Sequence, residues 1–268
     1  MSQPWMLETP APPADTRIPY GDITHQFGDL RLPRGEGPHP VVVMIHGGFW
    51  RARYDLEHVG HLCADLTRRG YATWSLEYRR VGHPEGGWTG TFEDVARGTD
   101  YLRTLARHYP LDLKRVVLMG HSAGGHLALW LAGRGRLEAG EPLHTPTPLV
   151  PRGVVSLAGV VDLARAHTLN LGNGIVESFL GGTPAQVPER YRLGSPAALL
   201  PLGVKQVLVH GVKDDIVPVA LSEAYQARAT ALGDTARLVR LENAEHFAVI
   251  DPRAAEWAQV VEAVGSLL

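Results

Sequence analysis

The chain has 268 residues, 44% of them hydrophobic, which is enough for one large core or two small ones. Its 26 Lys and Arg against 28 Asp and Glu leave a formal net charge of -2, so there is no broad basic field to hold a nucleic-acid backbone. The single cysteine, Cys63, excludes an internal disulfide and a Cys-rich zinc site, and no apolar run is long enough to span a bilayer.

In chain order, residues 1–17 read as an extended proline-rich arm without the basic-then-apolar layout of a signal peptide, which predicts a cytoplasmic protein. Ile23 to Leu32 reads as one or two edge strands. The first strong core strand is Val41-Val42-Val43-Met44-Ile45, a continuous apolar run of the kind found in a sheet covered on both faces. It ends in His46-Gly47-Gly48-Phe49-Trp50. Leu56, Val59, Leu62, Cys63 and Leu66 follow at helical spacing up to Gly70, which places Cys63 in the core. Tyr71 to Tyr78 reads as a strand and Gly82 to Gly90 as a loop. Thr91 and Asp94 have the spacing of a capping box for a helix through Leu105.

Val116 to Met119 is predicted as a strand, Ala123 to Ala132 as a helix, and residues 134–152 as a long connection. After the strand Val154 to Leu157, glycines and prolines interrupt the pattern, and residues 160–195 are expected to form a small cap or lid-like insertion. Val207 to Gly211, Ala220 to Leu232, Arg237 to Leu241 and Pro252 to Leu268 complete the alternation as strand, helix, strand and helix. Strands alternating with helices predict an α/β protein with a mostly parallel central sheet flanked by helices on both faces, in one domain over 1–268.

The chemistry centres on Gly120-His121-Ser122-Ala123-Gly124, placed between an apolar strand and a helix. A serine there sits on a sharp strand-to-helix turn, and small neighbours are expected because side chains would crowd the turn and because glycine tolerates its backbone angles. A serine hydroxyl needs a base to accept its proton as it attacks, most often a histidine oriented by a carboxylate. Asp214 and Asp215 lie just beyond the strand Val207 to Gly211, and His246 lies just beyond the last strand. Both loops fall at the carboxyl edge of the sheet, where such sheets place their sites. Backbone N–H groups of Gly48, Phe49 and Ala123 are the expected donors to an oxyanion, with Gly47 as the alternative to one of them.

Most of the 13 histidines are expected at the surface or as caps, with His46 bracing its glycine loop. His58 and His61, three apart on one helix, lack a complementary ligand set and are assigned to the surface, so no metal is expected. Neither glycine-rich nucleotide fingerprint is present, so no cofactor is expected. Trp50, Trp88 and Phe247, with Phe49 and Phe179, are candidates to line a substrate pocket, although core walls use the same residue types.

With His46-Gly47-Gly48-Phe49-Trp50, the serine motif and the later acid and histidine, the chain resembles the α/β-hydrolase superfamily. Its His-Gly-Gly-x-Trp motif is similar to that of kynurenine formamidases and related small carboxylesterases. Glu77-Tyr78-Arg79 and Gly86-Gly87-Trp88 add to the likeness, which runs from the Val41 strand to the His246 loop. The order Ser, Asp, His is the one that fold uses. The resemblance selects Asp214 as the acid, giving Ser122, Asp214 and His246 as the triad. It implies a carboxylesterase-type serine hydrolase acting through an acyl-enzyme on a small ester or formamide. Arylformamidase, prolyl-type peptidase and a catalytically silent ligand-binding scaffold are the alternatives. Phe49 stands where hormone-sensitive-lipase-like esterases have a third glycine, which keeps the N–H and narrows the acyl side. Neither nucleic acid nor membrane is an expected partner, and a homodimer is open to the chain.

Overall fold

The computed structural model describes residues 4–268, so the first three residues of the expected arm lie outside the described residues. Eight strands form one sheet in the order β1-β2-β4-β3-β5-β6-β7-β8. They are β1 (Thr16–Pro19), β2 (Phe27–Arg31), β3 (His39–Ile45), β4 (Ala72–Leu76), β5 (Leu111–His121), β6 (Gly153–Leu157), β7 (Lys205–Gly211) and β8 (Ala236–Leu241). β1 pairs antiparallel with β2, and β2 antiparallel with β4; every other pairing is parallel. The helices are α1 (Gly60–Arg68), α2 (Gly90–Asp100), α3 (Leu102–Leu105), α4 (Ala123–Gly133), α5 (Leu163–Thr168), α6 (Ile175–Leu180), α7 (Pro188–Gly194), α8 (Pro196–Leu199), α9 (Ala220–Ala231) and α10 (Trp257–Gly265). This is the mostly parallel α/β sheet expected from the sequence.

The continuous apolar run of β3 is explained by its two covered faces. Val41, Val43 and Ile45 join the core beneath α2, α4 and α9, while Val42 and Met44 join the core beneath α1 and α10. Each of these five side chains is fully buried, worth roughly 1.5–3 kcal/mol apiece before entropy is charged against it. Cys63 lies in the second core as expected, and burial pushes its thiol up to about 11.

Several local expectations are corrected. The edge strand is β1, inside and just beyond the expected arm, whereas residues 23–26 are turn-like and only Phe27–Arg31 of the expected 23–32 region is strand. The capping box does not form, because Thr91 and Asp94 are recruited by a buried arginine. Thr91 Oγ1 donates to the Arg79 carbonyl, and Asp94 accepts from the Arg79 guanidinium at 2.7 and 2.8 Å. The expected helix through Leu105 divides into α2 and α3. Residues 160–195 are largely helical, and Leu163, Ile175, Val176, Phe179 and Leu193 extend the same core that underlies α4. The glycines that suggested irregularity include Gly174 and Gly181, which take left-handed conformations at the two ends of α6. Among the described residues, no helix is long and apolar enough to cross a membrane.

Candidate active site

Ser122 occupies a turn between β5, near the middle of the sheet, and α4. Its φ of 56° and ψ of -118° are unfavourable for a side-chain-bearing residue, a form of strain that persists only where surrounding contacts fix it. Its backbone N–H donates to the Leu157 carbonyl at 2.8 Å, tying the turn to β6. The glycines on either side are there for the first of the two expected reasons, crowding, and not for the second, backbone angles. Neither Gly120 nor Gly124 has a positive φ; the unusual backbone belongs to Ser122 itself. A Cβ on Gly124 would lie 2.0 Å from the Ile45 carbonyl oxygen, and one on Gly120 would lie 2.1 Å from the Gly124 oxygen. Close approach of α4 to the end of β3 excludes a side chain at Gly124, and close approach of α4 to the end of β5 excludes one at Gly120.

The loop after β3 closes over this turn. A Cβ on Gly47 would come within 2.8 Å of the His121 carbonyl oxygen, and Gly48, Phe49 and Trp50 all have positive φ. His46 braces the loop as expected: Nδ1 lies 2.8 Å from the Gly47 carbonyl oxygen and Nε2 3.1 Å from the Glu77 carboxylate, while its ring stacks on Tyr78. Burial alone would raise the Glu77 pKa, but His46, Arg80 and the Tyr78 N–H hold it below the ordinary value. Gly48 and Phe49 reach the same cavity as Ser122. Ala123, as the first residue of α4, has no intrahelical acceptor for its N–H, and the α4 N-terminus favours negative charge.

The loop after β7 carries Asp214. Its Oδ1 accepts from the Ile216 and Val217 N–H groups at 2.9 and 2.8 Å, which fixes the plane of the carboxylate. Oδ2 accepts from His246 Nδ1–H at 2.7 Å and lies 3.2 Å from Nε2 of His210. Burial opposes the ionised form, but the hydrogen bonds from His210 and His246 outweigh it and hold Asp214 well below the usual carboxylate range. Asp215 is exposed and follows this buried carboxylate in the turn. His246, on the loop after β8, shares the cavity with Ser122, and an acceptor on Nδ1 leaves Nε2 as the unprotonated nitrogen in the neutral ring.

The cavity has a volume of about 80 Å³. Phe49 and Phe247 line it as expected, but Trp50 and Trp88 do not. Trp50 is fully buried, stacked on Phe179 at 4.5 Å, and its Nε1–H donates to His126 Nδ1 at 3.2 Å. Phe179 is thereby a core residue too. Trp88 packs on Phe92, with Arg190 above its ring, away from the cavity.

The cavity wall also holds His121, next to the serine in sequence, and Leu7, Tyr54, Ile216 and His58, which the sequence does not point to. His58 is buried, contrary to the surface assignment, and burial pushes it down to about 3. His121, beside the serine in the chain, was legible by adjacency; its Nε2–H donates to the His246 carbonyl at 3.0 Å. Seven of the 13 histidines are buried, against the expectation that most lie at the surface or serve as caps. No cluster of three metal-ligating side chains is found among the described residues.

The strained serine turn at the carboxyl end of a mostly parallel sheet, with acid- and histidine-bearing loops beyond its last two strands, defines an α/β-hydrolase fold. The BD-FAE family model matches residues 29–228, and the chain belongs to that family. It is 27% identical over 246 residues to a probable isoprenylcysteine alpha-carbonyl methylesterase of Arabidopsis thaliana, covering 85% of this chain and 50% of that protein. It thus spans half the length of that relative. It is also 22% identical over 238 residues to the kynurenine formamidase of Danio rerio, covering 87% of this chain and 75% of that protein. Among solved structures, the butyrate-bound Thermogutta terrifontis esterase Est2 superposes with a TM-score of 0.77 at 20% identity, covering 96% of this chain and 94% of that one.

Proposed function

We propose that the chain is a serine hydrolase of small carboxylic esters. The observation that carries the reading is the 2.7 Å hydrogen bond from His246 to Asp214, with His246 lining a cavity that also holds Ser122 on its strained turn. Ser122 Oγ attacks the ester carbonyl while His246 Nε2 takes its proton. Asp214 keeps the proton of the neutral ring on Nδ1 and stabilises the imidazolium that forms. Negative charge develops on the former carbonyl oxygen and is met by N–H groups of Gly48, Phe49 and Ala123. Collapse expels the alcohol, which takes its proton from His246. Water, deprotonated by His246, then attacks the acyl-serine and releases the acid.

Esterase relatives and the small, largely apolar wall around Ser122 support an ester as substrate. The kynurenine formamidase relative favours a second reading, hydrolysis of an N-formyl aryl amide by the same steps, since a formyl group asks for little acyl space. We place the protein as one domain acting in the cytoplasm as part of this proposal. The test is Ser122→Ala: hydrolysis of 4-nitrophenyl acetate and labelling by a fluorophosphonate should both vanish while the circular dichroism spectrum is retained. Undiminished hydrolysis by that variant would end the serine mechanism. Parallel assays on N-formylkynurenine decide between the two substrates.

A further inference from the structure

The segment just before β1 does more than lie along the surface. Pro4 and Leu7 close a tight turn through the Leu7 N–H to the Pro4 carbonyl, 2.9 Å apart. That turn buries Met6 in the core shared with Leu56 and Val59, and brings Leu7 to the wall of the Ser122 cavity. Both sides of the turn are tied down. Trp5 Nε1–H donates to Asp251 at 2.7 Å, and the Arg253 guanidinium sits 3.5 Å over the Trp5 ring. On the other side, His61 Nε2–H donates to the Thr9 carbonyl at 3.0 Å, and the His61 ring lies 4.3 Å from that of Trp5. The anchors therefore span from the chain just after His246 to helix α1. Leu7 is held between them, on the same cavity as Phe49, Tyr54 and Phe247.

We propose that Leu7 is a specificity-determining residue: this N-terminal turn is a fixed wall of the reaction cavity, and the Leu7 side chain limits the ester to a short chain. The proposal rests on the esterase reading for its substrate, but the wall itself is a matter of shape. The family match begins at residue 29, so the wall comes from a part of the chain outside the matched segment. A loop-borne side chain would be a poor ruler if it moved; the buried Met6 and the paired anchors of Trp5 and Thr9 are what hold this one in place. Removing most of the Leu7 side chain opens space beside Ser122 without touching Ser122, Asp214 or His246.

The test compares wild type, Leu7→Ala, Leu7→Trp and the anchor variant Trp5→Ala. Hydrolysis of 4-nitrophenyl octanoate relative to 4-nitrophenyl acetate, as kcat/KM, should rise about tenfold or more in Leu7→Ala, the scale of a few methylenes in an apolar pocket. It should rise also in Trp5→Ala and fall in Leu7→Trp. Binding of the corresponding 4-nitrophenyl amides, followed by equilibrium dialysis, should change in the same order and needs no turnover. Octanoyl-to-acetyl ratios within twofold of wild type in all three variants, in both measurements, would overturn the wall. Absence of turnover in wild type with the amide ratios shifted would instead sink the esterase reading and leave the wall standing.

Discussion

Replacing Asp214 by Asn tests the proposed mechanism at the atom on which it depends. The Ile216 and Val217 N–H groups both donate to Oδ1, so the amide oxygen of an asparagine must take that place. Its nitrogen then faces His246 Nδ1, where Oδ2 now accepts at 2.7 Å. Two donors cannot share one hydrogen bond, so Nδ1 must become the acceptor and the ring proton moves to Nε2. In that tautomer His246 has no lone pair at Nε2 to accept a proton from Ser122. A swap of this kind in the serine-protease triad lowers kcat about ten-thousand-fold, or ~5.5 kcal/mol of barrier, and the same order is expected here. Asp215→Asn alters an exposed side chain and should leave kcat within about twofold, as surface changes usually do. The assay is steady-state hydrolysis of 4-nitrophenyl acetate, with circular dichroism to confirm folding. A loss under tenfold in Asp214→Asn, or an equal loss in Asp215→Asn, would refute the assignment.

Strain at Ser122 predicts that Ser122→Gly is more stable than Ser122→Ala by about 1 kcal/mol, because only glycine relaxes at a φ of 56°. Urea denaturation of the two inactive variants measures this, and equal midpoints would show that the turn is unstrained. The buried histidines predict acid lability. Burial pushes His58 down to about 3, His126 to about 4 and His121 well below its ordinary 6.5, so below pH 6.5 the unfolded chain takes up protons that the folded chain refuses. Stability is thus full above pH 6.5 and falls as the pH drops, by roughly 1.4 kcal/mol per pH unit for each such histidine. A thermal midpoint that stays level from about pH 7 to about pH 5 would contradict the neutral, buried assignments.

What could be read from the sequence was what local pattern encodes. β3, β6 and β7 are short apolar runs because both sheet faces are covered, and the serine turn carries its own glycines. β1 was missed because four residues of alternating partial exposure, ending in a proline, resemble a loop. The insertion over 160–195 shows no regular pattern in sequence because its helices are too short to show a period. Trp50 and Phe49 show the limit most clearly. They are neighbours in one loop, but positive φ at both sends Phe49 to the cavity and Trp50 into the core, toward His126 and Phe179. The buried histidines depend on partners far along the chain: His126 needs the Gly194 carbonyl, 68 positions away. Leu7 had no sequence signal at all, since only the fold brings it to Ser122.

The sheet order places the proposed nucleophile and its proton acceptor on unequal foundations. Ser122 follows β5, with β3 on one side and β6 on the other, whereas His246 follows β8, the outermost strand, which has a single neighbour and is only partly covered. Local opening costs least where a segment has few buried apolar contacts. A brief parting of that margin would carry the imidazole away from the hydroxyl while the tryptophan-rich interior stayed shut. The His121 tether to the His246 carbonyl spans this divide and pins the border back to the middle. Under the proposed mechanism, ester hydrolysis should therefore fade on warming ahead of any change in the interior, with the near-ultraviolet circular dichroism of the buried tryptophans as the comparison.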